Sequence, residues 1–241
     1  MKTKFKHILV ILCLSMISCK GNLEPELFDQ ITPENFLTNE DDVKTAVTGV
    51  YAEFRGISEW GRYKTSWGSV MTLQEVPTDL WAANWFYKAH TDFMWKATDY
   101  FVCEIFEFFV PAITKATALI ARIQDAPVSD DIKNRYIAEL RVARALWMYD
   151  LFDLYGPVPA ITDPEKILNP TQDFTVTRPS REEYITFVET ELKEVINAKI
   201  LPVAWTGSDY GHVSQATAMM VLLQLCLLYT SPSPRDSTSS R

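Results

Sequence analysis

Asp150 and Asp153 stand three residues apart, a spacing that can place two carboxylates together on one helix face. Such a pair can drive its pKa values apart and divide the acid and base roles of a hydrolase. At this spacing, however, carboxylates ordinarily face solvent or cap the next turn. The same holds for Glu182-Glu183 and for Glu189 with Glu191, read here as solvated helix faces. His90 and His212 are far apart, with no second ligand near either, so no metal site is expected. The chain contains no HExxH, GxSxG, GxGxxG or P-loop segment. No catalytic residue and no cofactor is predicted, and a non-enzymatic protein is expected.

The aromatic residues carry more information. Trp60, Trp67, Trp81, Trp85 and Trp95, five of the seven tryptophans, fall within residues 57–100, where helical periodicity breaks down. Trp81, Asn84 and Trp85 follow Val76-Pro77-Thr78-Asp79-Leu80 closely. An indole face can stack on the apolar C–H face of a sugar ring, and a nearby amide can hydrogen-bond its hydroxyls. Equally, these indoles can plug a loop against its scaffold. Trp147 lies on a clean apolar helix face and is expected in the core.

Composition narrows the class. With 23 Lys+Arg against 31 Asp+Glu the net charge is -8, which argues against nucleic-acid binding. At 47% hydrophobic and 22% charged, the 241 residues can bury a core. The first eighteen residues read as an address. Lys2, Lys4 and Lys6 precede an apolar run from Ile8 to Leu14, too short to span a membrane but suited to a signal peptide. Met16-Ile17-Ser18-Cys19 resembles a bacterial lipoprotein box, so Cys19 is the expected lipidation site, with residues 19–31 as a tether. Cys103 and Cys226 are expected as buried free thiols rather than a disulfide.

Beyond the tether the chain reads as helices joined by loops. Asn39 caps a helix with Val43, Val47, Val50 and Phe54 on one face, and Gly56 offers a stop. A second pattern runs from Ile105 to Ile123 and ends near Pro127. Pro111 inside it should mark a kink or a first turn. Tyr136, Leu140, Ala143, Trp147, Leu151 and Leu154 define a third helix, ended by Gly156-Pro157. Ser180 with Glu183 forms a capping box opening a fourth, with Tyr184, Val188, Leu192 and Val195 inward and Pro202 as its stop. An apolar stretch from Val213 to Leu228 follows. The predicted class is mostly α, with paired antiparallel helices.

Four stretches in order resemble the N-terminal half of the SusD/RagB family of outer-membrane nutrient-binding lipoproteins. They are Thr32-Pro33-Glu34-Asn35-Phe36 leading to Ala46-Val47-Thr48-Gly49-Val50-Tyr51; Ala138 to Leu146 continued by Asp150-Leu151-Phe152-Asp153-Leu154-Tyr155-Gly156-Pro157-Val158-Pro159; Arg178-Pro179-Ser180-Arg181-Glu182-Glu183-Tyr184 with Glu191 to Val195; and Gly211 to Met219. His212 stands where an Arg is usual, and Thr117 where an Asn often stands. The resemblance implies tetratricopeptide-like helix pairs with long irregular ligand-binding loops over residues 32–225. It implies glycan contacts at Trp81, Asn84 and Trp85, a lipid anchor in the cell outer membrane, and a SusC-like TonB-dependent transporter as partner. A RagB-like peptide binder and a lipid-anchored helical-repeat scaffold are the alternatives. Family members run about twice this length, and residues 226–241 look like a non-native tail, Ser/Pro/Thr-rich from Ser231.

Overall fold

The computed structural model describes residues 37–55, 70–80, 87–168 and 175–230. Cys19, the predicted signal peptide and tether, Trp60, Trp67, Trp81, Asn84 and Trp85 all lie outside these residues. Among the described residues every regular element is helical: α1 Glu40–Arg55, α2 Val70–Glu75, α3 Lys88–Thr91, α4 Tyr100–Asp125, α5 Asp130–Tyr155, α6 Pro164–Leu168, α7 Arg181–Ala198 and α8 Gln215–Thr230, with a 3-10 turn at Gly207–Asp209.

The local signals act as their chemistry requires. Asn39 Oδ1 accepts the Asp42 backbone N–H at 3.0 Å, capping α1. At α7, the Ser180 hydroxyl accepts from the Glu183 N–H at 3.1 Å while the Glu183 carboxylate accepts from the Ser180 N–H at 2.8 Å. The capping box is complete. Gly156 ends α5 with φ 75°, a conformation open to glycine, and its N–H returns to the Phe152 carbonyl at 2.9 Å. One of the two readings of Pro111 is excluded, and one helix end differs from expectation. α4 runs unbroken through Pro111, which lies mid-helix rather than in its first turn, leaving the Glu107 carbonyl without its usual partner. α7 ends at Ala198, before Pro202, because Lys199 turns into the left-handed region at φ 52°.

α4 and α5 form the most extensive helix pair. Tyr155 donates to the Val102 carbonyl, Trp147 packs on Phe109, Arg144 bonds Thr117, and Lys133 donates to the Gln124 carbonyl. As one chain ascends the other descends, so the pair is antiparallel, as a four-residue connection demands. α5 and α7 pair in the same sense through Arg144–Glu191 and Tyr184 to the Met148 carbonyl at 2.9 Å. α7 and α8 follow, with Gln215 bonding the Ile196 carbonyl at 3.1 Å. This is the tetratricopeptide-like arrangement expected from the resemblance.

α5 is central, packed against α1, α2, α4, α7 and α8. A helix so enclosed buries more than one face, and its buried residues include Glu139, Arg144 and Asp150 as well as Leu140, Trp147 and Leu151. α8 has no charged residue; Ala218, Val221 and Leu225 are buried, while Met220, Leu223 and Leu227 meet solvent. The helix continues through residues 226–230. Cys103 and Cys226 are free, as expected, but half-buried rather than buried.

Candidate functional site

The described chain resumes at Tyr87, just after the predicted contacts Trp81, Asn84 and Trp85, which lie outside the described residues, and enters a dense group of rings. α3 is a single turn, closed by the Thr91 hydroxyl on the Tyr87 carbonyl at 3.0 Å and by an exposed Lys88–Asp92 ion pair. The chain then turns through Phe93 with φ 56°. This left-handed turn closes α3, with the Phe93 and Met94 N–H groups returning to the His90 and Ala89 carbonyls at 3.2 and 2.7 Å. Residues 94–99 are tied down at the far end, where Asp99 Oδ2 accepts the Lys96 N–H at 2.8 Å and Cys103 Sγ meets the Ala97 carbonyl at 3.0 Å.

The consequence is a displayed aromatic pair. Phe93 is 67% exposed and Trp95 41%, with ring centroids 5.6 Å apart. Met94 and Leu80 are also exposed. Behind the pair sits His90, only 5% exposed, its ring nearly parallel to Trp95 at 6.0 Å. Phe101, on the first turn of α4, meets His90 edge-on at 5.8 Å and packs on Tyr87 at 5.2 Å. A large apolar surface held in place by a rigid helix, with polar capacity beside it, suits a ligand that offers both C–H faces and hydroxyls.

Burial holds the His90 imidazole below its ordinary range, against the weaker opposite pull of Asp99. The folded state therefore binds the proton less readily than the unfolded state, and stability falls as pH drops below about 6.5. Asp209 and Glu183 are held below the usual carboxylate range, by hydrogen bonds from Arg135 and Ser180 respectively. Their stabilisation is lost only in a lower window, below about pH 4. Thermal midpoints followed from about pH 7.5 to about pH 5 should decline in the wild type, and His90→Phe should flatten that decline.

The carboxylates of the sequence analysis are dispersed. Asp150 is completely buried, contrary to the expected solvent-facing position, on a helix packed against five others. Asp153 accepts from Gln74 Nε2 at 2.6 Å and ties α2 to α5. Glu189 pairs with Lys193 at the surface, whereas Glu191 is mostly covered. It binds both Arg141, at 2.8 Å, and the buried Arg144, which also bonds the Thr117 hydroxyl at 2.8 Å. Among the described residues no group of three or more metal-ligating side chains assembles.

His212 is 2.8 Å from Glu139, a carboxylate with no exposure at all. The same carboxylate accepts from the Tyr51 hydroxyl at 2.8 Å and from Arg135 Nε at 3.0 Å. Tyr51 in turn accepts the Val213 N–H at 3.0 Å, and Arg135 reaches Asp209 at 2.9 Å and lies 4.4 Å over the Trp205 ring. Burial and the adjacent Glu139 charge push the Tyr51 hydroxyl far above its ordinary range, so it stays protonated and donates. This cluster fastens the 199–214 loop to α1 and α5. Sequence reading missed it, and missed Phe93, whose signal was the Phe93-Met94-Trp95 run inside a polar, aperiodic segment.

No protein-family model and no curated protein matches the sequence. Solved structures do. Surface glycan-binding protein A from Bacteroides uniformis is 16% identical with a TM-score of 0.66, over 80% of this chain and 43% of that one. A laminarin-binding SusD-like protein is 22% identical with a TM-score of 0.61, over 80% of this chain and 41% of that one. The fold is that of SusD-like proteins. Surface glycan-binding protein A from Bacteroides thetaiotaomicron, in complex with laminarihexaose, is also similar at 15% identity and a TM-score of 0.64, over 81% of this chain and 40% of that one. The chain thus spans about two fifths of the length of these structures, and the SusD-like fold of its described residues agrees with the resemblance carried by the DLYGPVP junction.

Proposed function

We propose that this chain is the helical portion of a non-enzymatic SusD/RagB-family lipoprotein that captures oligosaccharide at the cell surface and passes it to a SusC-like TonB-dependent transporter. The observation that carries this reading is the exposed Phe93–Trp95 pair, displayed just beyond a helix end on a SusD-like helical frame. Its support from outside the chain is that proteins of the same fold are described as binding glycan, laminarin and laminarihexaose. Trp81, Asn84 and Trp85, next to this segment in the chain, are proposed as further contacts. Aromatic stacking supplies weak, reversible capture, and a bound glycan near a transporter raises its local concentration without any bond being broken.

Calorimetry with laminarihexaose and with malto-, cello- and xylo-oligosaccharides tests the ligand class. Trp95→Ala should weaken binding by up to about tenfold, as expected for one ring–ring contact, while the thermal midpoint barely moves. Binding of peptides and of no glycan would replace this reading with the RagB-like one. The anchor is tested separately. In a lipoprotein-processing host the wild type should incorporate a palmitate analogue and sediment with membranes, and Cys19→Ala should do neither. A Cys19→Ala protein that still labels would remove the anchor from the proposal.

A further inference from the structure

His90 presents an anomaly that the aromatic pair alone does not explain. Both of its ring nitrogens are buried and have no hydrogen-bond partner. A buried polar atom left unsatisfied is costly, and such atoms are rare enough in folded proteins that each calls for a cause. Two other side chains among the described residues have a buried nitrogen without a partner, Arg144 at Nε and Trp147 at Nε1. Arg144 uses its remaining nitrogens on Thr117 and Glu191, and Trp147 is locked inside the core. His90 differs from both. Its imidazole, able to donate at one nitrogen and accept at the other, is wholly unused, and it lies directly behind an exposed indole.

The imidazole is buried, but it lies beneath a segment without regular secondary structure. Residues 94–96 have no regular secondary structure, and Phe93, Met94 and Trp95 are held mainly at the ends of their segment. Trp95 lies over one face of His90 and Phe101 on α4 meets the ring edge-on, so a ligand reaches the ring nitrogens only when Trp95 shifts. We propose that His90 is a ligand-contacting residue whose ring nitrogens hydrogen-bond a hydroxyl of the glycan seated on Phe93 and Trp95. This rests on the glycan-binding reading above, and it adds a polar, orientation-selecting contact to a surface that otherwise selects only for an apolar face. A residue kept for binding at the expense of the free protein has a recognisable signature, since its removal stabilises while it disables.

The test compares wild type, Trp95→Ala, His90→Phe and His90→Gln by thermal unfolding without sugar and by calorimetry against the same oligosaccharide panel. His90→Phe replaces two unsatisfied polar atoms with a ring of similar shape, so its midpoint should rise by about 2–4 °C. Its glycan affinity should fall by about tenfold. His90→Gln keeps a donor and an acceptor and should recover part of that loss. If Trp95→Ala weakens binding but His90→Phe does not, the proposal is wrong and the glycan reading stands. If His90→Phe both unfolds earlier and binds more weakly, recovery by His90→Gln upholds the contact and its absence makes His90 a packing residue. A wild type that binds no sugar in the panel overturns the glycan reading and this proposal together.

Discussion

Glu139→Ala should lower the free energy of unfolding by about 3–5 kcal/mol, the scale seen when one partner of a buried charge pair is removed. The reason is the number of groups that the carboxylate serves. Arg135, Tyr51 and His212 all bond it, and it is itself fully buried. Deleting it leaves the Arg135 guanidinium short of a counter-charge and the Tyr51 hydroxyl without its acceptor. The loop that carries Trp205, Asp209 and His212 then loses its attachment to α1 and α5. Glu139→Gln retains an acceptor for Tyr51 but not the charge, and should cost less than Glu139→Ala. Urea unfolding of the three proteins measures this directly. A cost below about 1 kcal/mol for Glu139→Ala would show that the cluster is incidental to stability.

Trp147→Ala should cost a similar amount, about 3–5 kcal/mol, by a different mechanism. Trp147 has no exposed surface and sits among Phe54 of α1, at 4.4 Å, and Phe109 of α4, at 6.5 Å. Truncation opens a cavity where three helices meet, and helices anchored elsewhere cannot collapse fully into it. Calorimetric unfolding should show a midpoint about 10 °C lower. The contrast with Trp95→Ala separates the two tryptophan classes. One indole holds the frame and the other is displayed by it, so equal losses of stability from the two variants would contradict the structure.

Much of the frame was legible in advance, for a local reason. Apolar residues recurring at three and four positions report a helix and its inward face, and Val43, Val47, Ile105, Phe109, Leu140, Trp147, Val188 and Leu192 are all buried. Caps are equally local, because Asn39 and Ser180 satisfy N–H groups only a few residues away. Pro111 does not break α4, because burial against α5 outweighs one lost hydrogen bond.

The polar residues follow another logic. Asp150 and Asp153 share a helix and nearly a face, yet one is buried and the other bonds Gln74 from α2. Glu139 meets His212 across 73 residues of chain, and Glu191 meets Arg144 across 47. Nothing in the spacing around any of these residues specifies such a partner. The sequence by itself determined where the five longer helices lie, the starts of those opened by Asn39 and Ser180, and which faces turn inward, since those depend on neighbours within a turn or two. Only the tertiary structure decided which charges are buried together, that His90 goes unpartnered and that Phe93 and Trp95 are displayed. Those outcomes depend on what the opposing helix or loop presents at the same point in space, and a buried polar group takes its energy from that partner rather than from its own segment.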